Sequence, residues 1–139
     1  MGKRFSERET PNGHLVGEAA SALQESIRRG KEEDALYWAS ELDLTGFGNY
    51  VWKRLRIIAS EDVGPADTMV AVQVRCLYEN WLEQRKTEKE VPPTSQSAPL
   101  FLVHAIMALC QAPKHRMVDH AFTYLYEGDR GAIRREVPD

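Results

Sequence analysis

The adjacent carboxylates Glu61 and Asp62 are the acids best placed to do chemistry in this chain. Two carboxylates could act as general acid and base or bind a cation. Acids adjacent in sequence, however, point in different directions from a helix and rarely chelate one ion. The structural interpretation is that they accept backbone hydrogen bonds or pair with Arg28, Arg54 or Arg56. Because one helical turn cannot bring Asp62 back to Arg54, we expect its partner to be an arginine on another helix.

The histidines offer little for metal binding or base catalysis. His115 and Asp119 lie four residues apart and could face the same way, but a zinc site needs three or four ligands. His104 lies in an apolar segment and is predicted to be a hydrogen-bonded core residue. We find no Ser/His/Asp or Cys/His arrangement, whether from these or from His14 and His120, and expect no catalytic residue, metal or cofactor.

Cations occur in local clusters although the formal net charge is −3. A strip that contacts phosphates would need two or three of these clusters on one face. Acids are interspersed among them, and most such groups are solvated helix ends. Direct contact with nucleic acid is the alternative hypothesis, and its candidate residues are Arg28, Arg29, Lys31 and Lys53. Further cations occur as Lys114 with Arg116, and as Arg130 with Arg134 and Arg135.

Helical periodicity dominates the elements that must position these residues. In the first helix, apolar residues recur at i, i+3, i+4, i+7 and i+11, at Val16, Ala19, Ala20, Leu23 and Ile27. The helix around residue 55 has its apolar stripe at Val51, Leu55, Ile58 and Ala59, and Asn49 is predicted to cap it. That helix is predicted to end where Gly64 adopts a positive φ and Pro65 cannot continue it.

The helix around residue 55 is the third, because a second one is predicted to begin at Glu32. Three more helices follow, and no segment alternates like a strand. The fourth covers residues 67–86, with Val70, Val74, Leu77 and Trp81 on one face. The fifth, residues 100–110, is apolar nearly all round and is predicted to be the centre of the bundle. The sixth, residues 115–126, is predicted to place Val118, Ala121, Phe122 and Leu125 inward.

The chain is therefore predicted to be one all-α bundle of five to six helices. Its 139 residues suffice for a single core. We expect a flexible segment at residues 1–12, a helical domain at 13–127 with a flexible loop at 87–97, and a polar tail at 128–139. Cys76 and Cys110 are interpreted as small buried hydrophobes in a reducing cytoplasm, and no apolar run is long enough to cross a membrane.

Aromatic residues are numerous for so small a bundle, and Tyr and Trp are favoured in protein contacts. Tyr37, Trp38 and Trp52 are candidates for an interface with a second copy, although a core position is an equal alternative for each. Because several helices carry more apolar surface than one copy can bury, we expect a homo-oligomer, a dimer or a tetramer.

Three sequence blocks together resemble the C-terminal helical region of the RarA/MgsA family, AAA+ ATPases related to clamp loaders that include the Werner-helicase-interacting ATPase. They are SALQESIR with DALYW at residues 21–28 and 34–38, RL with IIASEDVG at 54–64, and APK at 112–114. The resemblance covers roughly residues 15–120. It implies a clamp-loader-like helical domain, tetrameric assembly and a role as a scaffold in DNA replication or repair. It also draws attention to Lys114, in the third block.

The same family carries an N-terminal ATPase with a phosphate-binding loop, and this chain contains no G-x-x-x-x-G-K-[ST] motif. Glu25 stands where a lysine is common, and His115 where a serine is usual. ATP hydrolysis is therefore not expected, and we predict a non-catalytic interaction domain. A separate AAA+ ATPase or a replication protein is the partner that the resemblance implies. A small enzyme using Glu61 and Asp62 is a third hypothesis.

Overall fold

Helices pack against helices throughout the part of the chain that the computed structural model describes, residue 2 and residues 4–128, and no strand occurs there. The all-α prediction is confirmed. The helices are α1 (Val16–Arg28), α2 (Glu32–Leu44), α3 (Gly48–Ile58), α4 (Val70–Thr87), α5 (Ala98–Gln111) and α6 (Met117–Phe122). A π turn, Ala59–Val63, extends α3, and a second one, Thr123–Glu127, extends α6.

Two helix pairs form the body of the bundle. α1 packs mainly on α2, and α4 packs mainly on α5, while α5 also touches α1 and α2. α3 contacts all four of these helices. The predicted apolar stripes of α1, α3 and α4 are buried as expected. The core is thus a shared one, and α3 is the helix that connects both pairs to the corner where α6 sits.

Gly48 allows α3 to approach α4 closely. A Cβ at this position would lie 2.6 Å from a ring carbon of Trp81 and 2.9 Å from a carboxylate oxygen of Asp43. Trp81 in turn contacts Trp52 and Tyr78, with ring centroids 5.9 and 6.2 Å away. The absence of a side chain at Gly48 is therefore what admits this aromatic cluster. α3 begins at Gly48 without a side-chain cap, so the prediction that Asn49 caps it is wrong.

The end of the π turn is set by Gly64, whose φ of 51° is the positive value expected from the sequence. Residues other than glycine rarely adopt this backbone conformation. A Cβ here would also approach Val118 of α6 to 3.2 Å. α6 packs on this corner, so the turn determines where α6 lies.

Three predictions of burial are wrong. α5 is not covered all round: it packs on one side only, and Leu100, Val103, His104 and Met107 are exposed. On α6, Val118, Ala121 and Phe122 are exposed rather than inward, because the helix rests on a corner and not on the core. Cys76 is exposed, whereas Cys110 is buried as predicted. In each case an apolar sequence was compatible with burial, but no helix of the described chain covers the face.

Flexible segments were expected at residues 1–12 and 87–97, and both make specific contacts within the described chain. Within residues 4–12, Phe5 packs on Phe47 and Tyr50, with centroids 4.6 and 4.8 Å apart, and Thr10 is buried. In the loop at 87–97, Glu88 accepts the amides of Ser97 and Ala98 at 2.6 and 2.8 Å. The flexibility expected of both segments stays a prediction. Most of the predicted tail, with Arg130, Arg134 and Arg135, lies outside the described residues.

Candidate functional site

Asp62 lies in the π turn with its side chain fully buried. Arg28 of α1 donates from Nε to its Oδ1 at 2.8 Å, and Gln24 donates to its Oδ2 at 2.9 Å. The predicted pairing with an arginine on another helix is therefore present. The hydrogen bond to Asp62 is the main cause that raises the pKa of Arg28, against the opposing effect of partial burial. A buried carboxylate is tolerated only when it is satisfied in this way.

Gln24 is the residue of this network that the sequence did not single out. Its amide nitrogen also donates to Glu61 at 2.8 Å, and its carbonyl oxygen accepts from Arg54 at 2.7 Å. A glutamine can serve both roles because it has a donor and an acceptor on one group. No spacing rule marks such a residue, since its three partners, Arg54, Glu61 and Asp62, lie on α3 and the π turn, far from it in sequence.

α6 and the residues before it attach to the same acid. The carbonyl oxygen of Asp62 accepts the amide of His115 at 2.8 Å, and Nε of Arg116 lies 3.9 Å from Oδ1. Arg116 also pairs with Asp119. Asp62 thus connects α1, the π turn and the start of α6. Because its oxygens already accept hydrogen bonds from Arg28 and Gln24, the geometry supports a structural role and offers no open position for a substrate or an ion.

The exposed side of α5 is the first of two apolar surfaces. Leu100, Val103 and Met107 line a groove of about 680 Å³ along this helix. Leu100 is 67% exposed. The lining contains few ionisable groups, with Asp67 and His104 among ten residues. Exposed apolar patches of this kind mark contact sites more often than catalytic clefts.

The second surface is a groove of about 570 Å³ between α3 and α6, which we call the α3–α6 groove. Its apolar part consists of Ile57, Val118 and Phe122, the last 50% exposed. Charged groups line the remainder: Lys53, Arg56, Glu61 and Asp119. The apolar residues of α6 that were predicted to face the core therefore form a surface feature instead.

Of the aromatic candidates for an interface, Trp52 is excluded because its side chain is fully buried against Tyr78 and Trp81. Tyr37 is 39% exposed, and its hydroxyl lies 2.7 Å from Nε2 of His14. Trp38 is half-buried against the same imidazole, with centroids 4.7 Å apart. Tyr37 and Trp38 thus remain candidates for contact.

The candidate cations for nucleic-acid contact do not form one strip. Arg28 is occupied by Asp62, and Arg29 pairs with Glu25 at 2.6 Å. Lys31 and Lys53 form no ion pair within residues 4–128, but they lie on different elements, after α1 and on α3 respectively. Nearby acids thus neutralise half of the set, and no observation favours the phosphate-binding alternative.

The remaining candidates fill local roles. Arg56 lies over the ring of Tyr78, 4.7 Å from its centroid. Lys114 donates to the carbonyl oxygens of Cys110 and Ala112 at 3.0 and 2.6 Å, where cations suit the end of α5. Among the described residues, no three His, Cys, Asp or Glu side chains are grouped as metal ligands. Within the same residues, every helix is too short or too polar to cross a bilayer.

The chain is 35% identical over 104 residues to replication-associated recombination protein A of Haemophilus influenzae. The matched stretch makes up 73% of this chain and 21% of that protein. The chain thus spans about a fifth of the length of the curated relative it matches, and it is related in sequence to that protein. No family model matches.

Proposed function

We propose that this chain is a non-catalytic, self-associating interaction domain that acts as a scaffold in DNA replication or recombination. The single observation that carries the proposal is the exposed apolar side of α5, with Leu100, Val103 and Met107. In this view the chain is the counterpart of the C-terminal helical region of the ATPases it resembles, and its own copies are its first partners.

Self-association follows from the free energy of covering that side of α5. Each apolar Å² removed from water contributes about 25 cal/mol. In an interface with two-fold symmetry, the same patch of each copy packs against that patch of the other. A patch that carries many charges of one sign would therefore repel its own copy. The groove along α5 avoids this repulsion, since Asp67 and His104 are among the few ionisable groups in its lining.

The carboxylates of Asp62 and Glu61 are engaged in structural hydrogen bonds, which supports a role without catalysis. The first is buried and bound by Arg28 and Gln24, and the second accepts the same glutamine amide. A general acid or base must reach the proton it transfers, but Asp62 is enclosed by its partners, and Glu61 lines an open groove with its carboxylate bound to Gln24. The lack of a phosphate-binding loop in the sequence supports the same conclusion for ATP.

The role in replication or recombination is supported by the relative's name and by the 104 residues of similarity. A separate ATPase, or another replication protein, would be the partner that such a scaffold holds.

Light scattering of the full chain at micromolar concentration tests self-association. We expect a mass that is a multiple of 15.8 kDa, and we expect Leu100→Glu or Val103→Glu to lower it. Leu44→Glu is the matched control, because Leu44 is 70% exposed but lies at the end of α2. A wild-type mass of one chain, or equal effects at Leu44 and Leu100, would count against the proposal.

A further inference from the structure

We propose that the α3–α6 groove is a second, charge-matched interface, in which α3 packs antiparallel on α3 of a second copy about an axis at Ile57. This inference rests on the proposed self-association and names a further site for it. The occupant is a second copy of this chain because the charges at the two ends of the groove complement each other only when one copy is inverted.

Three residues form a strip along one wall of the groove: Lys53, Ile57 and Glu61. They follow one another at intervals of four residues, so they lie along one side of α3 and its π turn. At 1.5 Å per residue, Lys53 and Glu61 are separated by about 12 Å, with Ile57 midway between them. The strip therefore has a cation at one end, an apolar centre and an acid at the other.

A two-fold interface places residue i against residue j and residue j against residue i. With the axis at Ile57, Lys53 of each copy meets Glu61 of the other, and the two Ile57 side chains meet at the centre. One symmetric contact thus creates two opposite-charge pairs. A parallel arrangement would instead place lysine against lysine and acid against acid.

The two charges are available for such pairing. Lys53 is exposed and forms no ion pair in the described part of the chain. Glu61 is half-buried, and its described hydrogen bond is to the neutral amide of Gln24 and not to a cation. Asp119, on the other wall of the groove, is already paired with Arg116. Three charged residues of the lining thus form no ion pair among the described residues: Lys53 and Glu61 at the ends of the strip, and Arg56, whose guanidinium lies over the ring of Tyr78.

α6 supplies the rest of the apolar contact. Val118 and Phe122 line the same groove beside Ile57, and they are 40% and 50% exposed. Apolar residues at the centre with charged residues around them are the usual composition of a protein interface. The burial that α6 lacks within one copy would be supplied by the other.

The test is charge reversal followed by mixing, in the full chain carrying Leu100→Glu so that the α5 contact is removed. Lys53→Glu alone creates two acid–acid contacts, and Glu61→Lys alone creates two lysine–lysine contacts. Each is expected to weaken association by about tenfold or more. An equimolar mixture of the two variants restores both pairs, so mixed dimers should form. Lys86→Glu, an exposed cation on α4, is the control that should change nothing.

Sedimentation measures association, and native mass spectrometry with one variant isotopically labelled detects mixed dimers. Because Glu61 also accepts the Gln24 amide, Glu61→Gln is a second variant that keeps an acceptor and should weaken association less than Glu61→Lys. Association unchanged by Lys53→Glu, or no assembly in the mixture of folded variants, overturns the α3 pairing.

The two proposals fail separately. If the Leu100→Glu chain remains a dimer that Lys53→Glu dissociates, the α3 pairing stands even where the α5 contact is wrong. If wild type associates but the Leu100→Glu chain is monomeric at all accessible concentrations, the α5 contact stands and the α3 pairing is overturned. A wild-type chain that never associates overturns both.

Discussion

Arg28 and Asp62 meet 2.8 Å apart although 34 residues separate them, and the carboxylate is fully buried while the guanidinium keeps about a third of its exposure. This asymmetry determines which member of the pair the protein can lose more easily. Removal of Arg28 leaves the Asp62 carboxylate buried, out of reach of water and without its main partner. Removal of Asp62 leaves the Arg28 guanidinium, which is partly exposed and can turn toward water.

We expect Arg28→Ala to lower the free energy of unfolding by about 3 kcal/mol, because it leaves the Asp62 carboxylate buried without its main partner. Arg29→Ala is the matched control. The side chain of Arg29 is 62% exposed and that of its partner Glu25 is 46% exposed, so a loss of about 0.5 kcal/mol or less is expected. Urea unfolding followed by circular dichroism measures both. Equal losses for the two variants would contradict a structural role for the buried pair.

The pH dependence of stability should carry a contribution from Glu88. Burial is the largest single effect and acts to raise the pKa of this acid, but hydrogen bonds from the Ser97 and Ala98 amides and from the side chains of Gln84 and Ser97 together outweigh it and lower the pKa from its ordinary 4.5. A folded-state pKa below the unfolded one means that the stabilisation is present above the unfolded value. It is lost as the pH falls through the folded value.

We therefore expect Glu88→Gln to be less stable than wild type near neutral pH, with the difference shrinking as the pH falls below the ordinary pKa of 4.5 and through the lower folded-state pKa. Chemical denaturation at each pH measures it. Glu90→Gln, an exposed acid in the same loop, should show no such trend. A difference that is constant over the whole range would indicate that Glu88 acts through packing and not through its charge.

At Gly48 we expect alanine to destabilise the protein by about 1–3 kcal/mol, since the added methyl group meets the ring of Trp81 and must displace it. The usual effect in a helix is the opposite, a gain of about 0.5–1 kcal/mol on replacing glycine with alanine. Asn49→Ala, at the exposed neighbouring position, should show no loss. Thermal unfolding measures the sign, and a change in tryptophan fluorescence would report the displaced ring.

The two cysteines should differ in reactivity. Cys76 is exposed, whereas burial is the main cause that raises the pKa of Cys110 to about 11 from 9.0. The thiolate is the reactive form, so this shift alone slows Cys110 by about a hundredfold near pH 8. A chromogenic disulfide reagent should release one equivalent quickly from the native chain. With Cys76→Ser the fast phase should vanish, and its persistence would show that Cys110 is accessible.

How far the sequence predicts this fold depends on how strongly each segment is patterned. α1 alternates apolar and polar faces clearly, so Val16, Leu23 and Ile27 were placed correctly in the core. α5 is apolar on every side, and its composition cannot say which side a neighbour covers. Leu100 and Ile106 look equivalent in sequence, yet one is exposed and the other fully buried. Burial of such a helix is decided by the other helices and not by its own residues.

The network around Asp62 was predictable only in part. The pairing of Asp62 with an arginine of another helix follows from the geometry of one helical turn, and Arg28 was among the named partners. Gln24 could not be found, because a neutral amide has no partner charge that marks it in a sequence. For Trp52 the sequence left a core position and an interface position equally open. It lies off the main stripe of α3, but α4 covers that side as well, so the core position is the correct one.

One consequence of the position of Asp62 concerns α6. The side chain of this residue is held by α1, and its carbonyl oxygen holds His115 at the start of α6. A substitution that weakens the hold of α1 on Asp62 would therefore shift the position of α6, and with it Val118 and Phe122 on the far wall of the α3–α6 groove, without any change in those two residues. A substitution in the interior, at α1, can therefore change the shape of an outer surface, since a single buried acid anchors both.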